Sequence, residues 1–259
     1  MSDRPRTYKT EGIILRRRNL GEADTIFTVF SPAVGKFDAI AKGVRKARSH
    51  MRGHLEPLTR SRLMLARGRS LDVFTQAETI DPYRRLHDDL EQSALGVYCC
   101  ELIDRFASEN IEQPDVYALL VDTLEALDAG APLHVVRWFE IQLLALTGYA
   151  LHLQACSLCD ARLPEAETLF SATAGGLVCA DCRAKAASGR ILPVRAIKVL
   201  RFAATARLEQ FAGLRVDDDT THDLERAIAD VLRTVLDRDP AAARYLDQIH
   251  RLGPAAPAV

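Results

Sequence analysis

The first 80 residues consist of short apolar runs separated by turn residues, a pattern typical of β-strands. The runs are rich in β-branched and aromatic side chains, and we predict strands at 7–18, 25–30, 36–42, 58–66 and 71–77. In the third run apolar and polar positions alternate, with Phe37, Ala39 and Ala41 on one face and Lys36, Asp38, Ile40 and Lys42 on the other. Five short strands in so few residues favour a small closed barrel, for which the five-stranded OB type is one natural candidate.

Beyond residue 80 the apolar positions recur with helical spacing. Asp81-Pro82 is a helix-start signal, followed on one predicted helix face by Leu86, Leu90, Ala94, Val97 and Leu102. We predict further helices at about 114–128, 132–150, 193–208 and 221–237. The expected fold class is α+β and multidomain, with an OB-type barrel at 1–80 and a helical domain at 81–259.

Four cysteines interrupt the helical part as two Cys-x-x-Cys pairs, with 19 residues between the pairs: Cys156, Cys159, Cys179 and Cys182. Paired cysteines at this spacing are typical of a zinc site, because two thiolates from one tight turn can reach the same ion. Four protein ligands leave no position for water, so we predict one structural Zn²⁺ in an inserted element at about 154–190. The other two cysteines, Cys99 and Cys100, lie in a helical run and are expected in the core.

Composition is ordinary for a globular chain, with 48% hydrophobic and 27% charged residues among 259. No apolar run is long enough to cross a bilayer, and the charged N-terminus does not resemble a secretory signal. We therefore expect a cytoplasmic protein without a membrane partner, in which thiols stay reduced.

The net charge of −1 conceals a strong asymmetry along the chain. Residues 1–70 contain 16 Lys and Arg against 6 Asp and Glu, a balance of +10, whereas the remainder carries −11. Such a distribution indicates an anion-binding module attached to an acidic body, although a solvated basic face is the simpler alternative.

The densest cluster of positive charge is residues 42–54, here called the basic loop, with five cations and no acid: Lys42, Arg45, Lys46, Arg48 and Arg52. Arg16, Arg17, Arg18 and Lys36 could extend the same DNA-binding patch. Lysine and arginine bind nucleic-acid phosphates by releasing counterions, whatever the base sequence. Phe27, Phe30, Phe37 and Phe74 could stack on bases, but aromatic residues in short strands are more often core.

A second acid-free stretch, residues 183–208, follows the last cysteine pair. On a helix Arg195, Lys198 and Arg201 share one side, while Ile197, Leu200 and Ala204 take an adjacent one. This side is either a partner or second DNA surface, or the solvated flank of an amphipathic helix.

Several segments, read in order, resemble the RecO family of bacterial recombination mediators. They are Gly12-Ile13-Ile14-Leu15-Arg16-Arg17-Arg18, Gly21-Glu22-Ala23-Asp24, Gly35-Lys36, Lys42-Gly43-Val44-Arg45-Lys46, Leu55-Glu56-Pro57 and Gln76-Ala77-Glu78, followed by the four cysteines after the helices. The resemblance implies an OB-fold domain, binding and annealing of single-stranded DNA, and help in loading RecA recombinase. It also implies binding to double-stranded DNA, RecR and the C-terminal tail of single-stranded DNA-binding protein, with a nucleoid location. Some relatives lack the four cysteines, so the metal is not essential to the shared activity.

We do not expect an enzyme, since the phosphate-loop, nucleophile-elbow and zinc-protease motifs are missing. Asp217-Asp218-Asp219 could indicate a metal-dependent nuclease, but consecutive acids point in different directions and Thr220-Thr221 resembles a helix cap. The rival that remains open is a zinc-containing OB-fold protein that binds RNA or regulates transcription.

Overall fold

The computed structural model describes residues 6–237, 240 and 242, which divide into two compact units. The first contains residues 6–130 with Ala242, and the second contains residues 131–237 with Pro240. We predicted a domain boundary at residue 80, and the last barrel strand does end at Asp81. The helices up to Asp128 nevertheless belong to the same compact unit as the barrel. The change of secondary structure and the division into compact units therefore fall at different places.

The five strands of the first unit form the closed barrel that the sequence predicts. They are β1 (Thr7–Leu20), β2 (Asp24–Ser31), β3 (Gly35–Ala41), β4 (Arg60–Ala66) and β5 (Asp72–Asp81), in the order β1-β2-β3-β5-β4. The long β1 pairs with β4 along its first half and with β2 along its second, with a register shift between Ile14 and Arg16. β3 pairs with β5 in parallel, and the OB-type prediction is confirmed.

Alternating side chains of these strands fill the barrel. Phe37, Ala39 and Ala41 are buried, as the alternation in β3 predicts. The rings of Phe27 and Phe74 meet edge to face with their centroids 5.9 Å apart. Removing these apolar surfaces from water stabilises the closed barrel at roughly 25 cal/mol per Å².

Three helices complete the first unit: α1 (Arg84–Asp88), α2 (Leu90–Phe106) and α3 (Pro114–Asp128). The Asp89 side chain accepts hydrogen bonds from the first turn of α2, so the chain starts a new helix there. Leu86, Ala94 and Leu102 are buried as predicted, but Leu90 and Val97 are 63% and 43% exposed. The prediction was wrong for these two because it continued one helix through the break at Asp89 and used steps that depart from the 3.6-residue period.

The helices of the second unit are α4 (Val135–Leu146), α5 (Val194–Ala203), α6 (Leu208–Ala212) and α7 (Asp218–Leu236). α4 packs against each of the other three, and the indole N–H of Trp138 donates to the carbonyl of Ala206 (2.9 Å). Ile197 and Leu200 are buried as predicted, whereas Ala204 is exposed because α5 ends at Ala203.

A small sheet of three strands lies between α4 and α5 in the chain, and the sequence did not predict it. Its strands are β6 (Thr168–Ser171), β7 (Gly176–Val178) and β8 (Arg190–Leu192), in the order β7-β6-β8. Phe170 and Leu177 are buried, so this segment has an apolar core of its own. Among the described residues, no helix combines the length and apolar character needed to cross a membrane.

Candidate nucleic-acid interface and metal centre

The basic loop leaves β3 and is tied at once to the turn between β1 and β2. The backbone N–H of Gly43 donates to the Asp24 carboxylate (2.7 Å), and the backbone N–H of Arg45 donates to the Ala23 carbonyl (3.0 Å). The Arg45 guanidinium also donates to the Gly21 carbonyl (3.1 Å). The start of the loop is therefore held by three hydrogen bonds to one neighbouring turn.

The loop turns its apolar residues inward and its cations outward. Val44 and Leu55 are buried in the barrel core, and Met51 packs against that core. All five loop cations are exposed: Lys42, Arg45, Lys46, Arg48 and Arg52. None of the five forms an ion pair with a described residue. Their charge is available to an anion from solution.

The other cations that we predicted for this patch are neutralised within the first unit. Three exposed pairs are formed, by Arg16 with Asp104 (2.6 Å), Arg17 with Glu56 (2.5 Å) and Arg18 with Asp38 (3.0 Å). Exposed ion pairs are typically worth less than about 1 kcal/mol, so a phosphate can compete with these carboxylates. The Lys36 side chain is only 13% exposed and pairs with Asp104 (3.5 Å), which gives it a structural contact instead.

Three arginines from separate parts of the chain meet around one recess of about 240 Å³. Arg17 comes from β1, Arg45 from the start of the basic loop and Arg52 from a short 3₁₀ helix (Arg52–His54), and Asn19 also lines the recess. Guanidinium groups suit phosphate because their N–H donors form a planar fork. The recess is thus a concave surface with three guanidinium groups, next to the basic loop.

The aromatic residues that we considered for base stacking are core residues. Phe27, Phe30, Phe37 and Phe74 are between 0% and 6% exposed. Phe27 lines the recess, but its ring packs against Phe74. The structure therefore favours the alternative that these four phenylalanines belong to the core.

The four paired cysteines come together in the second unit. Their Sγ atoms all lie within 4.8 Å of one another, and those of Cys159 and Cys179 are 3.7 Å apart. A tetrahedral ion with Zn–S bonds of about 2.3 Å separates its sulfur ligands by about 3.8 Å, so the cluster has the dimensions of a four-thiolate metal site. Burial opposes ionisation of Cys156, but backbone N–H donors of Cys179, Leu158 and Cys159 lower its pKa to about 6. The surroundings of Cys156 therefore favour its thiolate form, which is the form that binds a metal ion.

Tight turns explain why these thiols converge. The N–H of Cys156 donates to the Ala161 carbonyl (2.9 Å), and Asp160 adopts a positive φ of 59° within that turn. The second pair follows Gly176, where the backbone passes the segment that leads to the first pair. A Cβ at Gly176 would lie 2.1 Å from the His152 carbonyl oxygen, so only glycine fits.

The basic stretch at 183–208 differs from the basic loop. Arg195 pairs with Asp217 (2.5 Å), Lys198 pairs with Glu165, and Arg201 donates to the Leu153 carbonyl (2.7 Å). The three cations that we predicted as a partner or second DNA surface thus each have a partner inside the second unit. Asp217 is the N-cap of α7, where its side chain accepts from the Thr220 N–H (2.9 Å). We expected the helix cap at Thr220-Thr221, whereas α7 begins at Asp218, so the acidic run supplies the N-cap and the first turn of the helix.

Sequence reasoning did not identify Asp24 as part of the site. Its segment contributed only to the family resemblance, and nothing in its local pattern indicated a contact with Gly43, 19 residues further along the chain. The available signal was the position of the two residues: Asp24 directly precedes the second predicted strand and Gly43 directly follows the third.

Comparison with known proteins gives one consistent family. The family model described as "Recombination protein O N terminal" matches residues 1–83, and "Recombination protein O C terminal" matches residues 87–244. A curated protein named "DNA repair protein RecO" from Roseiflexus sp. (strain RS-1) is 37% identical over 250 residues, which is 96% of this chain and 88% of the relative. Proteins with the same name from Dehalococcoides mccartyi (strain CBDB1) and Desulforudis audaxviator (strain MP104C) are each 36% identical. They cover 95% and 92% of this chain, and 97% and 96% of their own lengths.

Both halves of the chain match the two models of one family, and relatives above 30% identity align over nearly the whole length. Helices follow the OB-type barrel, and the four-cysteine cluster lies between α4 and α5, not after all the helices as the resemblance placed it. The chain belongs to the RecO family of DNA repair proteins and thus to recombinational repair.

Proposed function

We propose that this chain binds single-stranded DNA through the basic loop and the arginine-lined recess, and brings complementary strands together. The observation that carries the proposal is the set of five exposed loop cations without an ion pair among the described residues. Binding to phosphates explains why such a charge cluster is left without acidic partners. The same contacts would be made to double-stranded DNA, whose backbone carries the same groups.

Annealing needs neutralised phosphates and accessible bases, but no covalent chemistry. We therefore propose that the chain acts without nucleotide hydrolysis or strand cleavage. Membership of the family supports three further proposals: that it binds RecR, that it binds the C-terminal tail of single-stranded DNA-binding protein, and that it assists loading of RecA. A protein with this role would be found with the nucleoid. Nucleotide turnover or DNA cleavage that follows the pure protein through purification would contradict this part.

The metal in the four-cysteine cluster is proposed to be a structural Zn²⁺. Cys156, Cys159, Cys179 and Cys182 would supply all four ligands, which leaves no place for a reacting water. Bound zinc would join the two turns and so stabilise the segment around β6 and β7. Metal analysis of the purified protein should give one zinc per chain, and four free thiols without metal would contradict the proposal.

A binding titration tests the central proposal. Fluorescence anisotropy with labelled oligonucleotides should show tight, sequence-independent binding to single-stranded DNA that weakens linearly on a log–log plot against salt. The same titration with duplex DNA and with RNA separates this proposal from the RNA-binding or transcription-regulatory alternative. A clear preference for RNA, or for one duplex sequence, would favour that alternative.

A further inference from the structure

Asp24 lies in the most basic part of the chain but forms no ion pair with a described residue. Its carboxylate instead accepts the backbone N–H of Gly43 at 2.7 Å. It stands at the first position of β2, directly after the turn at Gly21, and is partly buried. An acid in this position requires an explanation, because it lowers the local positive potential that attracts phosphate.

The bond to Asp24 acts on the one residue of the basic loop that has a left-handed backbone. Gly43 has a φ of 67°, and its carbonyl accepts the N–H of Lys46 (3.0 Å), so it is the first residue of a tight turn over residues 43–46. The same turn carries Arg45, which makes its two hydrogen bonds to the segment preceding Asp24. The conformation of residues 42–46 therefore depends on a carboxylate in the neighbouring hairpin.

We propose that Asp24 is a positioning residue for DNA binding: it holds the Gly43 N–H and so presents Lys42, Arg45 and Lys46 of the basic loop to the phosphates. This inference rests on the proposed function of the basic loop. A preformed loop binds more tightly because it gives up less conformational freedom on binding.

The proposal and simple electrostatics predict opposite changes in DNA affinity when Asp24 is removed. Removing an acid from a DNA-binding surface raises affinity if the acid acts only through its charge. Removing Asp24 should lower affinity if its hydrogen bond orders the loop. Glu22 provides the matched control, since it lies in the same turn, is exposed and forms no ion pair with a described residue.

The experiment compares Asp24→Ala, Asp24→Asn and Glu22→Ala in the full chain, using a labelled oligothymidylate and anisotropy at several salt concentrations. Each neutralised phosphate of a single strand adds about 0.7 to the salt slope, or about fivefold to the affinity at 0.1 M salt relative to 1 M. Asp24→Ala should weaken binding about tenfold and flatten the salt slope, which corresponds to one or two fewer neutralised phosphates. Asp24→Asn keeps an acceptor for the Gly43 N–H and should bind at least as tightly as the unchanged chain. Glu22→Ala should bind equally or more tightly.

Two further measurements keep the test decisive if Asp24→Ala disturbs folding. Gly43→Ala changes no charge but places a Cβ on a left-handed residue, and it should also weaken binding. Amide hydrogen exchange without DNA should be faster at Gly43 and Arg45 in Asp24→Ala than in the unchanged chain, with the core amides of β2 unaffected.

Three results would overturn the inference. They are an Asp24→Ala affinity equal to or above that of Glu22→Ala, equally weakened binding in Asp24→Ala and Asp24→Asn, or unchanged binding by Gly43→Ala. Failure of the proposed function has a different signature. Reversal of Lys42, Arg45 and Lys46 would then leave DNA binding unchanged, while the exchange of the Gly43 amide would still respond to Asp24.

Discussion

The basic loop and residues 183–208 look alike as sequences but differ in the partners of their cations. Both are rich in lysine and arginine and contain no acid. In the loop the five cations are exposed and make no ion pair with a described residue. In the second stretch Arg190, Arg195 and Lys198 pair with Asp230, Asp217 and Glu165. A run of like charges predicts the sign of the charge on a surface. How much of that charge a ligand can bind depends on acidic residues, distant in the sequence, that pair with it.

The contacts made by cations of residues 183–208 hold together elements of the second unit. Arg190 holds Asp230 on α7 with two hydrogen bonds (3.0 and 2.5 Å), and Arg201 donates to the Leu153 carbonyl ahead of the first cysteine pair. These cations connect the end of the cysteine-containing segment to the helices. Arg183, Lys185 and Arg207 remain exposed without an ion pair in the described chain, so the two stretches differ in the fraction of their cations that pair with an acid.

The largest expected effect is a loss of stability without a loss of DNA affinity, in a variant of the four-cysteine cluster. Cys156→Ser removes one of the four proposed zinc ligands and should lower the free energy of unfolding of the second unit by about 4–5 kcal/mol, as loss of a structural metal does. DNA affinity should stay within about twofold, because all the cations of the proposed DNA-binding site belong to the first compact unit and Cys156 belongs to the second. Chemical denaturation, metal analysis and anisotropy on the same samples measure both.

Cys99→Ala serves as the control, since Cys99 is a buried thiol of α2 outside the cluster. It should retain one metal ion per chain. A large drop in DNA affinity in Cys156→Ser would show that the cysteine-containing unit takes part in binding. It would contradict the assignment of DNA binding to the first unit alone.

The second largest effect is expected from reversing the charges of the basic loop. Reversing Lys42, Arg45 and Lys46 to Glu should weaken single-stranded DNA binding roughly 100-fold at 0.1 M salt, from about fivefold per neutralised phosphate, and equally for all base sequences. The salt slope should fall by about 0.7 for each phosphate that the variant no longer neutralises.

A pair of double variants matches the change in net charge. Lys42→Glu with Lys46→Glu should weaken binding strongly, whereas Arg195→Glu with Lys198→Glu should have a smaller effect, because Asp217 and Glu165 offset part of the charge of those two cations. The reverse ranking would mean that residues 183–208 dominate binding.

A smaller effect should follow from releasing a neutralised cation. Glu56→Gln removes the partner of Arg17 at the recess and should raise affinity by up to about fivefold at 0.1 M salt, which corresponds to one more neutralised phosphate. Glu78→Gln is the matched control, since it releases the exposed Arg62 between β4 and β5, which does not line the recess. Equal increases in the two variants would indicate a general charge effect and no special role of the recess.

The smallest effect concerns the cap that holds Arg195. The Thr220 backbone N–H, the Thr220 hydroxyl and Arg195 lower the pKa of Asp217 from its ordinary value near 3.8 to about 2. Because the pKa is depressed in the folded chain, the ionised cap stabilises the fold above about pH 4, and this contribution is lost as the pH falls through 2. The thermal midpoint should therefore fall between pH 4 and pH 2 by more in the unchanged chain than in Asp217→Asn. At neutral pH Asp217→Ala should be less stable than Asp217→Asn, which retains a good N-cap. Identical pH profiles would contradict the cap.

Much of the fold could be predicted because it depends on local patterns. The alternation in β3 identified its buried face, and the proline at the start of α3 marked a helix whose predicted limits, 114–128, are those observed. The strands β7 and β8 have three residues each, too short for a period-two pattern to be distinguished from a loop. The break between α1 and α2 was missed because a capping aspartate within an apolar pattern resembles any other polar position.

Local sequence patterns predicted the barrel, the succession of helices, the four clustered cysteines and the family, since each rests on residues that are adjacent or regularly spaced. The tertiary structure was needed to show which of the predicted cations pair with an acid. Arg16 meets Asp104 across 88 positions, Arg17 meets Glu56 across 39, and Asp24 reaches Gly43 across 19. No local pattern contains both members of such a pair. Whether a charge binds a ligand or is neutralised by the protein depends on distances of a few ångströms that only the folded chain sets.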